Sequence, residues 1–251
     1  MDRARVSSIT HGDLPLHNPF GPERLDEVID LLELGRGEKV LDVGCGTGEL
    51  LIRLAERFGC HGVGIDSSPG QIEEARRRSR ERVYYTGLDF VVADVRSEPL
   101  PDGPFALAAC IGSMHALGDG LAPALERLAA VTAPGGHVLI GDGYWRRPPQ
   151  PEYLEALGAT AGELPDYAGL MAAGEAAGLE AVYATASTQE EWDRYEWRLI
   201  LNGLRFAAQH PDDPDAAEVA EWARAARRRY LAPGGRETLG FALVLFACRA
   251  P

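Results

Sequence analysis

Cysteine is scarce and scattered. Cys45, Cys60, Cys110 and Cys248 form no C-x-x-C pair, which argues against a zinc site or a disulfide framework and fits a reducing compartment. No run approaches the ~18 apolar residues of a membrane span. No apolar stretch near the start precedes a cleavage-like site, so no signal peptide is expected and the reading is cytoplasmic. Lysine is almost missing: Lys39 is the only one, and the other basic residues are arginines. Positive charge is also outweighed, 25 Lys+Arg against 38 Asp+Glu, for a net charge of −13. Such a surface repels polyanions, so nucleic acid is not an expected partner. The runs Arg76–Arg78 and Arg227–Arg229 read as solvated helix faces. Internal repeats and low-complexity tracts are absent.

What is present suits an ordinary α/β core. At 251 residues and 45% hydrophobic content, the chain can bury one large domain, or a core plus a small cap, without staples. Residues 1–20 are polar and broken by Pro15 and Pro19, and read as a mobile arm. Helical periodicity follows from Pro22 to Leu34, then a strand at Lys39–Val43 and a helix at Leu50–Phe58. Strands at Gly62–Ile65, Leu88–Ala93, Phe105–Ile111 and His137–Ile140 alternate with helices at about 69–82 and 121–132. Pro134-Gly135-Gly136 reads as a turn. Alternation of this kind predicts a Rossmann-like parallel sheet with helices on both faces. A sixth strand, Leu179–Ala186, and a seventh, Thr238–Arg249, bracket a helix pair at about 189–230. Seven strands, mostly parallel, are therefore expected. The expected division is an arm at 1–20, a core at 21–186 and 232–251, and a helical lid at 187–231 over the substrate side.

The chemistry centres on Asp42-Val43-Gly44-Cys45-Gly46-Thr47-Gly48. An apolar strand runs into three glycines at alternate positions, and a helix follows at once. Glycine lets the chain turn sharply and lets a ligand lie against bare backbone, and the helix start points free N–H groups at it. Two more acids close the next strands: Asp66, eighteen residues after Gly48, and Asp94. One acid at a strand end usually caps a helix; three in succession beside a glycine loop mark a ligand site. The spacing D-x-G-x-G-x-G differs from the G-x-G-x-x-G of dinucleotide dehydrogenases.

These residues, in this order over about 25–145, resemble the class I S-adenosylmethionine (SAM)-dependent methyltransferases. The resemblance implies that Gly44, Cys45, Gly46 and Gly48 line the amino-acid and ribose region of SAM. It implies that Asp66 holds the ribose and that Asp94 with Val95 holds the adenine. Asp42 would meet the methionyl ammonium or fix the loop itself. Ser67, Ser68 and Gln71 add contacts, and Ile111 and Gly112 approach the cofactor at the end of the fourth strand. A nicotinamide-dependent oxidoreductase is the rival on the same fold, and a SAM-binding protein that transfers no methyl is another.

The reaction would take place near Cys110-Ile111-Gly112-Ser113-Met114-His115. His115 is the candidate general base, since imidazole titrates near neutrality; its alternative role is to hydrogen-bond the cofactor or cap the next helix. Cys110 and Cys45 read as packing residues. The run Gly141-Asp142-Gly143-Tyr144-Trp145-Arg146 resembles a bacterial subgroup of small-molecule methyltransferases with an aromatic turn there, although Gly143 stands where that subgroup often has proline. Tyr144 and Tyr195 are further catalytic candidates. His17, Phe20, Trp145 and Trp192 are candidate acceptor contacts, each weighed against simple packing. The fourth strand carries no acid, so no magnesium site is expected. N/D-P-P-Y/F is missing after that strand, which argues against nucleic-acid amino methylation. The expected acceptor is a small molecule whose attacking atom the sequence leaves open, as it does the oligomeric state.

Overall fold

The structure is a computed structural model that describes residues 3–12, 14–84 and 87–249. Parts of the expected arm (residues 1, 2 and 13) and the last two residues of the expected core lie outside them. Seven strands make one sheet: β1 (Lys39–Val43), β2 (His61–Asp66), β3 (Leu88–Val92), β4 (Phe105–Ile111), β5 (Thr132–Trp145), β6 (Leu179–Ala186) and β7 (Leu239–Cys248). Their spatial order is β3-β2-β1-β4-β5-β7-β6. The β1–β2, β1–β4, β2–β3 and β4–β5 pairs are parallel, and β6–β7 is antiparallel. The order reverses between β1 and β4, the place where open α/β sheets bind ligands. This is the Rossmann-like, mostly parallel sheet that the alternation of patterns predicts.

The helices are α1 (Arg3–His11), α2 (Pro22–Ile29), α3 (Glu49–Phe58), α4 (Pro69–Arg82), α5 (Leu121–Val131), α6 (Pro151–Leu157), α7 (Tyr167–Ala176), α8 (Gln189–Gln209) and α9 (Ala216–Tyr230). The chain divides into two compact units. The α/β unit comprises residues 22–143, 167–186 and 241–251; the helical unit comprises 1–21, 144–166 and 187–240. Residues 144–166 thus cluster with the helical unit.

Within the α/β unit the core is a continuous apolar layer. Leu41, Leu51, Leu54, Ile72, Phe90, Leu107, Leu125, Leu128 and Phe246 are fully buried. Each such side chain gains roughly 1.5–3 kcal/mol by leaving water. Helix α3 turns Leu50, Leu51, Leu54 and Ala55 inward, the stripe its period predicts. Phe90 fits because two neighbours lack side chains: a Cβ on Gly48 or Gly64 would lie 2.7 Å from its ring. Thus the third glycine of the motif serves packing between β3 and α3. On the outer face, Glu49 is buried and receives both Arg53 and Arg82, at 2.7 and 2.8 Å.

The helical unit is held by crossings of small residues. A Cβ on Gly203 of α8 would approach that of Ala223 on α9 to 3.0 Å. Helix α8 starts with a full capping box: the Thr188 hydroxyl accepts from the Glu191 N–H, and the Glu191 carboxylate accepts from the Thr188 N–H. Residues 3–11, expected as a mobile arm, form a helix instead. Asn202 of α8 donates to the Thr10 carbonyl at 2.8 Å, and Thr10 is buried. Packing on α8 stabilises a polar segment that has no strong amphipathic period of its own. Pro134–Gly136, expected as a turn, lies inside β5, although Gly135 keeps a positive φ of 76°. No helix among the described residues is long and apolar enough to cross a membrane.

Candidate active site

The glycine loop is built from the backbone outward. The N–H groups of Gly44 and Cys45 both donate to the Ile65 carbonyl, at 2.7 and 3.0 Å. The Gly46 N–H donates to the Asp66 carboxylate at 3.0 Å, and the other carboxylate oxygen accepts from the Ser68 N–H at 2.9 Å. Asp66 therefore ties the loop to the start of α4, with lone pairs left on both oxygens. Gly44 has φ +71° and Gly46 φ +52°, a region costly for other residues. A Cβ on Gly44 would lie 2.4 Å from the Ser113 side chain, so the turn after β4 abuts the loop. A Cβ on Gly46 would meet nothing within 4 Å. That glycine faces open space, as a backbone cradle requires.

Asp42 is buried at the end of β1, 3% exposed, facing register partners Gly64 and Ala109. Burial first, then the charge of Asp66, pushes its carboxyl up to about 7. The loop N–H groups go to Ile65 and Asp66, and among the described residues none donates to Asp42. Of the two roles open to Asp42, fixing the loop is therefore filled by other groups. Gln71 on α4 adds a second orphan: its Oε1 is buried and has no hydrogen-bond partner. Ser67, just before α4, is exposed.

Asp94 follows β3 and caps the next turn. Its side chain accepts from the Arg96 N–H at 3.0 Å, and its carbonyl accepts from Ser97 and Glu98. Val95 is buried, and its carbonyl accepts from Arg127 of α5 at 2.9 Å. The same guanidinium reaches the Leu117 carbonyl at 2.9 Å. Arg127 thus braces the turns after β3 and β4 together, a role that no sequence pattern signalled.

At the end of β4, Ile111 pairs with Gly141, and the Gly112 N–H donates to the Gly141 carbonyl at 2.7 Å. His115 follows in a single 3-10 turn, Met114–Ala116, with its side chain exposed. Its carbonyl is held by Arg96 at 2.5 Å. Asp142, one residue beyond the β4–β5 pairing, was not singled out in the sequence. It obeys the same rule as Asp42, an acid at a strand's carboxyl end. Burial pushes its carboxyl upward, against the N–H of Gly143 at 2.8 Å and the nearby His115. Burial also raises the Cys45 and Cys110 thiols, which keeps both protonated and inert as nucleophiles. Among the described residues, no group of three or more His, Cys, Asp or Glu side chains can hold a metal ion.

The structure thus brings Asp42, Gly44, Cys45, Gly46, Gly48, Asp66, Ser67, Gln71, Asp94, Val95, Ile111, Gly112 and His115 into the α/β unit. His17, Phe20, Tyr144, Trp145, Trp192 and Tyr195 belong to the helical unit. There, Trp145 is buried and its indole N–H donates to the Ala161 carbonyl at 2.8 Å, which anchors a loop. Phe20, Tyr144 and Trp192 are also buried. Tyr195 has a polar setting. Its hydroxyl lies 2.8 Å from Nε2 of His11 and 3.1 Å from the His17 carbonyl. Nδ1 of His11 lies 2.9 Å from the Ser7 carbonyl, which only accepts. Burial lowers the His11 pKa, so the neutral ring carries its proton on Nδ1, and the single Tyr195 O–H proton has two acceptors within reach, Nε2 and the His17 carbonyl.

Comparison with known proteins gives the same picture. The methyltransferase domain family matches residues 40–136, from β1 into β5. The chain is 33% identical to the uncharacterized protein YjhP of Escherichia coli K12, over 99% of this chain and all of that one. It is 32% identical to a SAM-dependent methyltransferase from Geobacter sulfurreducens, solved with S-adenosyl-L-homocysteine (SAH). That match covers 98% of each chain with a TM-score of 0.89. A SAM-dependent methyltransferase from Thiobacillus denitrificans, also solved with SAH, is 32% identical over 99% of this chain and 100% of that one, with a TM-score of 0.88. With its full-length relatives, its sheet order and its glycine loop in agreement, the chain belongs to the class I SAM-dependent methyltransferases.

Proposed function

We propose that the protein transfers a methyl group from SAM to a small-molecule acceptor. One observation carries the cofactor assignment: in the unit whose glycine loop leaves open space at Gly46, Asp42 is a buried carboxyl with no donor among the described residues and Gln71 Oε1 is buried without a partner. Buried polar groups are seldom left without partners. The α-ammonium of SAM supplies donors for Asp42, and its ribose and adenine carry further donors for Asp66, Gln71 and Asp94. The free lone pairs of Asp66 suit a ribose diol, with Ser67 beside it. Val95 gives an apolar wall for the adenine, and the loop gives close backbone approach at Gly46, while Gly48 serves packing against Phe90.

When bound, SAM supplies an electrophilic methyl group on a sulfonium, so the protein needs no strong acid of its own. The remaining work is to position the acceptor and manage its proton. Gly112 turns the chain at the end of β4 with φ +77°, and His115 follows in the next turn with an exposed imidazole. His115 takes the acceptor proton where the attacking atom carries one. Support for a small acceptor comes from partial relatives: the chain is 33% identical over 135 residues to the 27-O-demethylrifamycin SV methyltransferase of Amycolatopsis mediterranei, covering 47% of that protein.

The test is SAH release with a panel of small alcohols, phenols, amines and thiols. Wild type should turn over at least one class, and His115→Ala should bind SAM as well as wild type while losing ~10²-fold or more in rate. Equal loss of SAM binding in that variant would reassign His115 to the cofactor. Binding without turnover across the panel would favour a SAM-binding protein that transfers no methyl.

A further inference from the structure

Helix α1 is fixed beside the start of α9 by Arg5, which pairs with Asp213 at 2.9 Å and with Asp215. Residues of these two helices line a cavity of about 660 Å³, a volume in the range of small-molecule sites. Its walls lie wholly within the helical unit. Val6 of α1 and Trp222 and Ala225 of α9 make it apolar over part of its length. Trp222, Ala225 and Arg229 are three and four residues apart, so they share one face of α9.

The polar groups of this cavity include three donors that lack acceptors. Arg229, in a run that the sequence reads as solvated, is half-buried. Among the described residues its guanidinium has no hydrogen bond and no ion pair, whereas Arg224 and Arg228 of the same helix pair with Glu221. The indole N–H of half-buried Trp222 has no acceptor among them either, although that of Trp145 finds the Ala161 carbonyl. The Nδ1 proton of His11 is shared between the Ser7 carbonyl at 2.9 Å and the Ser7 hydroxyl at 3.1 Å. That hydroxyl accepts, so its own proton is left over. The two acids on the wall are engaged elsewhere: Glu221 with Arg228 at 2.7 Å, and Glu218 with partners of its own.

Donors withdrawn from water need acceptors, and a half-buried guanidinium needs an anion. One guanidinium in a cavity that also carries two acids suits a single negative charge better than a dianion. We propose that this cavity binds a planar, apolar monocarboxylate. Its carboxylate takes the fork of Arg229, and its body lies along Val6, Trp222 and Ala225. The Trp222 N–H and the Ser7 hydroxyl donate to further oxygens on that body. The cavity shares no residue with the glycine loop, so binding can be tested without SAM.

The experiment is calorimetric titration of the full chain with cinnamate, coumarate and naphthoate, each beside its primary amide. Wild type should bind at least one acid with a Kd below about 1 mM, and about tenfold or more tighter than its amide. Arg229→Met should bring acid and amide within about threefold while melting close to wild type, since the guanidinium holds nothing in the free protein. Trp222→Leu should weaken acid and amide together. Arg227→Met, which removes an exposed arginine outside the cavity, should bind as wild type does. Failure of all three acids to bind, equal affinity for acid and amide in wild type, or a preference unmoved in Arg229→Met would overturn the proposal. So would a preference lost in Arg227→Met as well, or affinities unmoved in Trp222→Leu.

Discussion

Protonation of Asp42 should control cofactor affinity near neutral pH. Its carboxyl sits at about 7 in the free protein because burial and Asp66 both oppose its charge. An α-ammonium beside it needs the ionised form. If ligand binding drives the carboxyl well below 6, the apparent Kd scales as one plus the ratio of protonated to ionised Asp42. That ratio is about 10 at pH 6 and about 0.1 at pH 8, so affinity should weaken about tenfold on acidification, ~1.4 kcal/mol. SAH is the suitable probe, because it keeps the ammonium and lacks the sulfonium. Calorimetry in buffers of different ionisation enthalpy should show about 0.9 proton released per SAH at pH 6 and about 0.1 at pH 8. The free protein should respond in the opposite direction. A folded-state pKa above the unfolded value gives stability that is full below about 4 and lost as pH rises through 7. Asp42→Asn should therefore raise the melting temperature of the free protein at pH 8. It should also bind SAH weakly with no pH dependence between 6 and 8. A pH-independent Kd in wild type, or a pH-dependent one in Asp42→Asn, would refute the assignment of Asp42 to the ammonium.

Asp66→Ala should weaken SAM binding by about 1–3 kcal/mol, because ribose hydroxyls lose an acceptor and the Gly46 and Ser68 N–H groups lose theirs; unchanged affinity in calorimetry would place the ribose elsewhere. Gly44→Ala should destabilise by roughly 2–3 kcal/mol in urea melts, the sum of a positive φ and a collision with Ser113. Adding Ser113→Gly should restore the steric part alone. Arg127→Met should leave the sheet intact but speed amide exchange at 94–98 and 113–117, where charged hydrogen bonds worth ~1.5–3 kcal/mol are lost; protection as in wild type at both turns would show that Arg127 braces neither.

The α/β unit was legible because its signals are local. Strand and helix periods alternate, and an acid or a glycine marks the end of each of the first three strands. Asp142 escaped notice because it stands between two glycines in an apolar run, where the aromatic turn that follows draws the eye. Its setting depends on His115, 27 residues earlier in the chain, which the turn after β4 carries near it. Orphan groups are invisible in sequence for the same reason: Gln71 is unusual for what it lacks in three dimensions. Helix α1 was missed because its polar residues have little apolar stripe, and the groups that stabilise it lie far along the chain: Asn202 and Tyr195 on α8, and Asp213 and Asp215 before α9. Trp145 shows the converse. Its indole could have faced a ligand, and the Ala161 carbonyl that claims it comes from a loop whose path the sequence does not define.

The central claim is that the glycine loop, Asp42 and Asp66 hold an S-adenosyl ligand and not a dinucleotide. Parallel calorimetric titration with SAM, SAH and NADH tests it most directly. The account predicts micromolar binding of SAM and SAH with one site per chain, and no heat from NADH. Binding of NADH alone would contradict it and make the loop a dehydrogenase fingerprint.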